Sequence, residues 1–319
     1  MAIQKVVLVG ANGDLGGAVL GGLVDAGSFQ VAVLKRQSSS SSNDNLPPSV
    51  QLLTVPDSWT EPDLTATLRS AGADAVVACF ALREDPPRAH LALASAAAAA
   101  GVRRYIPADF GSVDSRAPRA RELVPLFGKK AAVRALLDSL AESTPTFSWT
   151  SIVCGHFFDW GLRENFLHVD LKARTHEILD QGEQRSSLST LAQVGRAVVA
   201  ILNKTDETRN RTVFIQSFCV SQNDVQAALE KATGTTAGDG EGQWKKTYIP
   251  AEQFIAEKVV LRDAGDKQAI EDLVFALGVI DGDWEKKDEF AMDLLGLQPE
   301  DLEKVVKDVV DEVEKQRGQ

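Results

Sequence analysis

The chain has 319 residues, 44% hydrophobic and 25% charged, ordinary proportions for a folded globular protein that exclude a fibrous or disordered one. Its 34 Lys and Arg against 45 Asp and Glu leave a net charge of −11. That balance argues against general affinity for nucleic acid or anionic membrane surfaces but leaves room for a local phosphate pocket.

Val6–Val9 is a short apolar run ended by Gly10, the pattern of a strand buried on both faces. Leu15, Val19, Leu20, Leu23 and Val24 follow at helical spacing, with Gly27 as a C-terminal stop. Val31–Leu34 is a second strand, and a polar loop with the serine run Ser38 to Ser42 comes after it. Val50–Val55 and Ala75–Phe80 read as the third and fourth strands, separated by a helix through Leu64 and Leu68. His90–Gly101 is an Ala-rich helix and Arg104–Ile106 a brief fifth strand.

The stretch from Pro107 to Gly128, with its prolines, reads as loop. A helix over about Lys129–Leu140 and a strand over about Phe147–Cys154 follow. Strand–helix alternation with crossovers of this length predicts an α/β doubly wound parallel sheet.

The second half is less regular. Thr190-x-x-Gln193 and Ser221-x-x-Asp224 have the spacing of capping boxes, each before a helix, and Thr212–Phe218 between them reads as one strand. Thr233–Gly242, rich in Gly and Thr, reads as a surface loop. Pro299 opens a closing amphipathic helix through Leu302, Val305, Val306, Val309, Val310 and Val313.

Cys79, Cys154 and Cys219 sit apart in apolar runs without a C-x-x-C pair, as expected of reduced core residues and not of a disulfide framework or metal site. The start of the chain runs straight into a strand, and the longest apolar stretch, Leu91–Val102, is too short to cross a bilayer. The expectation is a cytoplasmic protein with no membrane and no nucleic-acid partner, a monomer or homodimer.

Gly10-Ala11-Asn12-Gly13-Asp14-Leu15-Gly16 joins the first strand to the first helix. A diphosphate approaches backbone closely only where side chains are absent, and a helix N-terminus offers free N–H groups and a favourable dipole. Gly10 serves the tight turn, Gly13 the close approach and Gly16 the packing of helix on strand. The second strand ends in Lys35-Arg36 where a site for NAD would carry an acidic residue, and no carboxylate follows until Asp44. Arg36 suits a phosphate monoester, since its planar fork donates two parallel charge-assisted bonds. NADPH is therefore favoured over NADH, with Gly10, Asn12, Gly13, Asp14, Leu15, Gly16, Lys35 and Arg36 as its contacts.

The glycine loop, Arg36, Arg104-Tyr105-Ile106-Pro107-Ala108-Asp109-Phe110-Gly111 and Lys130-Ala131-Ala132-Val133-Arg134 together resemble the NmrA-like/isoflavone reductase-like family of atypical short-chain dehydrogenases. Phe157–Leu162 and Leu188–Leu202 are similar to its fungal members. The resemblance implies a Rossmann-type NADP-binding domain over 1–155 and a smaller C-terminal α+β substrate domain over 156–319. Segments near 189–220 would pack back on the first domain.

The resemblance also places the general acid/base on Lys130, a role that a desolvated lysine beside nicotinamide can fill near neutral pH. The usual tyrosine four residues before that lysine is Leu126 here. A lysine-only mechanism is therefore expected.

Asp57, Phe80 and Cys154 are placed with the cofactor, and Phe110, Phe157, Phe158 and Trp160 with an aromatic substrate, although at least one of these last three is expected in the core. His156 is a second catalytic candidate or a satisfied junction histidine. The expected activity is NADPH-dependent reduction of a small aromatic or polyketide-like metabolite. The alternatives are an NADP-sensing regulator without turnover and a non-redox isomerase or cyclase.

Overall fold

The structure, a computed structural model, describes residues 2–39, 46–238, 240 and 242–317. Five parallel strands, β1 (Lys5–Val9), β2 (Gln30–Arg36), β3 (Gln51–Val55), β4 (Ala75–Ala78) and β5 (Arg104–Ile106), pair in the order β3-β2-β1-β4-β5. The order reverses at β1, so a crevice opens at its C-terminal end. Alternation along β1 divides the core in two. Val6 and Leu8 face one side with Val33, Val77 and the helix α1 (Asp14–Asp25), while Val7 and Val9 face the other. There they meet Leu64 and Leu68 of α2 (Glu61–Ala71) and Leu93 and Ala97 of α3 (Arg88–Ala100). Each fully buried valine or leucine among them contributes roughly 1.5–3 kcal/mol.

The stretch read as loop after β5 contains α4 (Pro118–Leu123), and the next helix, α5 (Pro125–Ser143), starts four residues early. Pro118 and Pro125 both open helices, because proline's missing N–H and fixed φ suit the first helical position. This correction matters for the site, since it adds a turn to α5 ahead of Lys130. The sheet continues through the Tyr105–Trp149 bridge to β6 (Thr150–Val153), shorter than expected.

In the second half, β7 (His156–Phe157), β10 (Arg185–Ser189) and β12 (Phe218–Ser221) form one small sheet. A second consists of β8 (Val169–Asp170), β9 (Thr175–Leu179) and β13 (Lys245–Ile249), and β11 (Arg211–Phe214) pairs with β6. The single strand expected over 212–218 is thus two strands in different sheets. Between them Ile215 N donates to Val153 O and Ser217 N to Leu188 O, so the backbone changes partners at Gln216.

Helices α6 (Phe158–Arg163), α8 (Gln222–Thr233), α9 (Ala251–Asp263), α10 (Lys267–Ile280) and α12 (Leu302–Arg317) enclose a separate core that includes Phe158, Leu229, Phe254, Phe275 and Val306. Pro299 precedes the last helix and does not open it. Ser221–Asp224 forms a full capping box. Thr190 makes only half of one, because Gln193 Oε1 accepts from Arg196 Nε and the Thr190 N–H donates to Ser217 Oγ.

The remaining helices, α7 (Leu191–Asn203) and α11 (Met292–Leu295), share the core of β1 and α1. Where α7 crosses α1, a Cβ on Gly195 would stand 2.8 Å from Ala18 O, so the two backbones nearly touch. Of the serine run, Ser38 and Ser39 are described, and Ser40–Ser42 and Asp44 lie outside the described residues.

Candidate active site

The loop from β1 to α1 is built around its glycines. Gly10 has φ +92°, and a Cβ there would fall 2.6 Å from Cys79 O; one on Gly16 would fall 1.9 Å from Gly10 O. Gly13 is different, since its missing side chain leaves open space with nothing nearer than Gly10 O at 3.9 Å. It is also the N-cap of α1 and supplies no capping side chain. The first N–H groups of the helix are therefore uncapped and face that space, a donor set that fits a pyrophosphate.

Beside this loop a cavity of about 280 Å³ runs along Asn12, Leu34, Lys35, Arg36, Trp59 and Phe80. The Arg36 guanidinium lies 5.8 Å from the Trp59 ring centroid, so the arginine is steadied by an aromatic face at the end of β2. Asp57 does not line this cavity. Its carboxylate accepts from Ser38 N and Oγ, at 3.1 and 2.8 Å, and those bonds hold it below its ordinary pKa. Asp57 pins the turn that follows Arg36.

A second cavity of about 540 Å³ opens from the same glycines and reaches the other half of the molecule. Gly10, Gly13, Asp14 and Leu15 line it together with Phe80, Phe110, Lys130, His156, Phe157 and Trp160. Phe80 borders both cavities and stacks on His90 at 3.7 Å.

Lys130 is buried on α5, and its ammonium donates to the carbonyl of Asp109. Burial lowers its pKa, while the Asp109 carboxylate works against that shift. The Asp109 carboxylate itself turns away from the cavity, accepting from Ser151 at 2.5 Å and Ser115 at 3.3 Å beside Arg134. The K-x-x-V-R motif thus combines two jobs, a lysine at the cavity and an arginine that fixes the loop offering that lysine its carbonyl. Phe110 follows at φ +37°, a strained value for a bulky residue, and turns the loop so that its ring lines the cavity.

His156 is buried, with Nε2 3.2 Å from Val274 O and its ring edge-on to Phe166. Burial lowers its pKa to about 4, so it is neutral at pH 7.

Besides Asp57 and Gly16, two further expected contacts line neither cavity. Phe158 is fully buried against Phe218 in the core of the second half, because it begins α6 on the opposite side from Phe157. Cys154 lies behind the wall in the β1 core, where burial pushes its thiol up to about 12. Tyr105 is likewise buried, in the core of α2 and α3, and does not line either cavity.

Sequence reading missed Trp59, Arg83, Ser112, Leu126, Phe127, Phe166 and Val274. Leu126 and Phe127 were accessible in principle: had α5 been started at Pro125, both would have fallen one turn before Lys130. Val274 arrives from α10, and nothing local marks it.

A model of the NmrA-like family matches residues 3–276, and the chain belongs to that family. Oxidoreductase aprR of Aspergillus flavus is 34% identical over 250 residues, 78% of this chain and 78% of its own. Isoflavone reductase of Pisum sativum is 25% identical over 282 residues, 80% of this chain and 81% of its own. Among solved structures, leucoanthocyanidin reductase from Vitis vinifera in its binary complex with NADPH has the same fold, with a TM-score of 0.75 at 17% identity. That match covers 96% of this chain and 99% of the other.

Proposed function

We propose that this protein is an NADPH-dependent reductase of a small, flat aromatic or polyketide-like metabolite. The observation that carries the reading is the single cavity that begins at the uncapped start of α1 and ends at the buried Lys130 ammonium. The names of the oxidoreductase and isoflavone reductase relatives support it.

Gly10, Gly13 and the first N–H groups of α1 would hold the pyrophosphate, and Arg36 the additional phosphate. The bound dinucleotide supplies hydride. Lys130 keeps one N–H on Asp109 O and has others to direct at a substrate oxygen. Its lowered pKa makes proton exchange at Nζ easier near neutral pH. His156, neutral and tied to Val274, forms wall and leaves the proton to Lys130. Phe110, Phe157, Trp160 and Phe166 give the flat apolar surfaces an aromatic ring needs.

The test is a panel of aromatic enones, carbonyls and quinone methides incubated with NADPH deuterated at the transferable position. Label in the product supports the proposal. Product without label points to an isomerase or cyclase, and no turnover with equal affinity for oxidised and reduced cofactor points to a sensor.

A further inference from the structure

The larger cavity is lined mostly by carbon, and its few ionisable side chains can be accounted for one by one. Asp14 stands at the glycine-loop end in the first turn of α1. Cys79 is half-buried, with its thiol pushed up by desolvation. His156 is neutral, and Lys130 is buried with one N–H on Asp109 O, its remaining donors serving the proposed proton transfer. Arg83 is left, exposed on the loop between β4 and α3, lining the cavity with no hydrogen bond or ion pair to its guanidinium among the described residues.

The neighbours of Arg83 leave that charge available. Lys129, on α5 beside the catalytic candidate, donates from Nζ to the backbone carbonyl of Arg83 at 3.4 Å. This ties the loop to α5 and brings a second cation to the same rim. Glu84, the adjacent acid, accepts from Ala89 N at 3.2 Å and so serves the start of α3. In a chain of net charge −11, the overall field does not draw anions, so attraction at this mouth has to be local.

We infer that Arg83 makes the cavity selective for flat aromatic ligands bearing a carboxylate, which it receives through its planar fork while the ring lies against Phe110, Phe157 and Trp160. The inference rests on the proposed reductase site and narrows its substrate class. A guanidinium beside apolar ring-binding walls receives a carboxylate through two parallel charge-assisted bonds, which also fix the ring's orientation.

Calorimetry with 6-hydroxy-2-naphthoate and its methyl ester tests this without turnover, on the whole chain with and without NADPH. The acid is expected to bind about 3–10-fold more tightly than the ester, the range for a bidentate but solvent-exposed charged pair. Arg83→Gln should erase that preference while leaving ester and NADPH affinities unchanged. Equal binding of acid and ester by the wild type, a preference that survives in Arg83→Gln, or no binding of either probe would overturn it. An equal loss of NADPH affinity in Arg83→Gln would assign the arginine to the cofactor and overturn it too. The measurement is independent of hydride transfer, so a failure of the reductase reading in the deuterium experiment would leave its result intact.

Discussion

Lys130 and Arg36 do different work, and single substitutions separate them. Lys130 is buried and its charge is partly offset by the carbonyl it touches, so Lys130→Met would remove the proposed proton carrier and a buried charge together. Turnover is expected to fall by about 10²–10⁴-fold, the usual contribution of a general acid or base, with cofactor affinity and melting temperature held or raised. Activity near wild type would remove Lys130 from the chemistry. Arg36 is exposed at the end of β2, over the Trp59 ring, and is proposed to receive the additional phosphate. Arg36→Asp should weaken NADPH by about 10–100-fold and leave NADH binding equal or better, because only the 2′-phosphate meets the changed side chain. Titrations showing the same loss for both nucleotides would discard the phosphate assignment.

The β1–α1 crossover is the element on which the site stands. Its glycines are fixed by contacts between backbones: Gly16 lets α1 pack against the Gly10 carbonyl, and Gly10 takes a φ that other residues resist. Gly16→Ala would put a methyl group 1.9 Å from that carbonyl, so the helix start must move. The expected cost is toward the top of the roughly 1–3 kcal/mol of overpacking, with NADPH binding lost as well. Gly13→Ala meets no such obstacle in the free protein, so it should leave urea unfolding almost unchanged and weaken the nucleotide alone. Unfolding curves and calorimetry on the two variants would tell structural from binding glycines. α5 shows the same division of labour, since Arg134 secures the Asp109 loop and Lys130, four residues earlier, uses it.

At the scale of the whole molecule, three histidines buried across the two halves couple stability to acid. His90, His156 and His176 each have pKa values lowered to about 4, chiefly by burial. Unfolded, they would take up protons below about pH 6.5, which the native state resists until near pH 4. The unfolded state therefore binds more protons across that window, and stability falls as the pH drops through it. Each site contributes at most about 1.4 kcal/mol per pH unit. In urea titrations at pH 7 and pH 5, His90→Gln should lose less stability between the two than wild type does; equal losses would contradict this account. Among the described residues no helix is long and apolar enough to cross a membrane.

Apolar runs that end in glycine, helical spacing between them and a cation at the end of β2 were enough to determine the parallel sheet and the nucleotide loop. These are properties of neighbouring residues, and the backbone expresses them locally. Boundaries set by proline differ from the local reading at Pro118 and Pro125, where a residue that breaks a helix interior instead opens a helix. Which aromatic faces the cavity was decided by tertiary structure, because Phe157 and Phe158 differ only in the side of the chain they leave from. The same holds for Val274, Phe166 and Arg83, which meet Lys130 across long separations in sequence. Their meeting depends on how two separate cores settle against one another, and no local pattern encodes that.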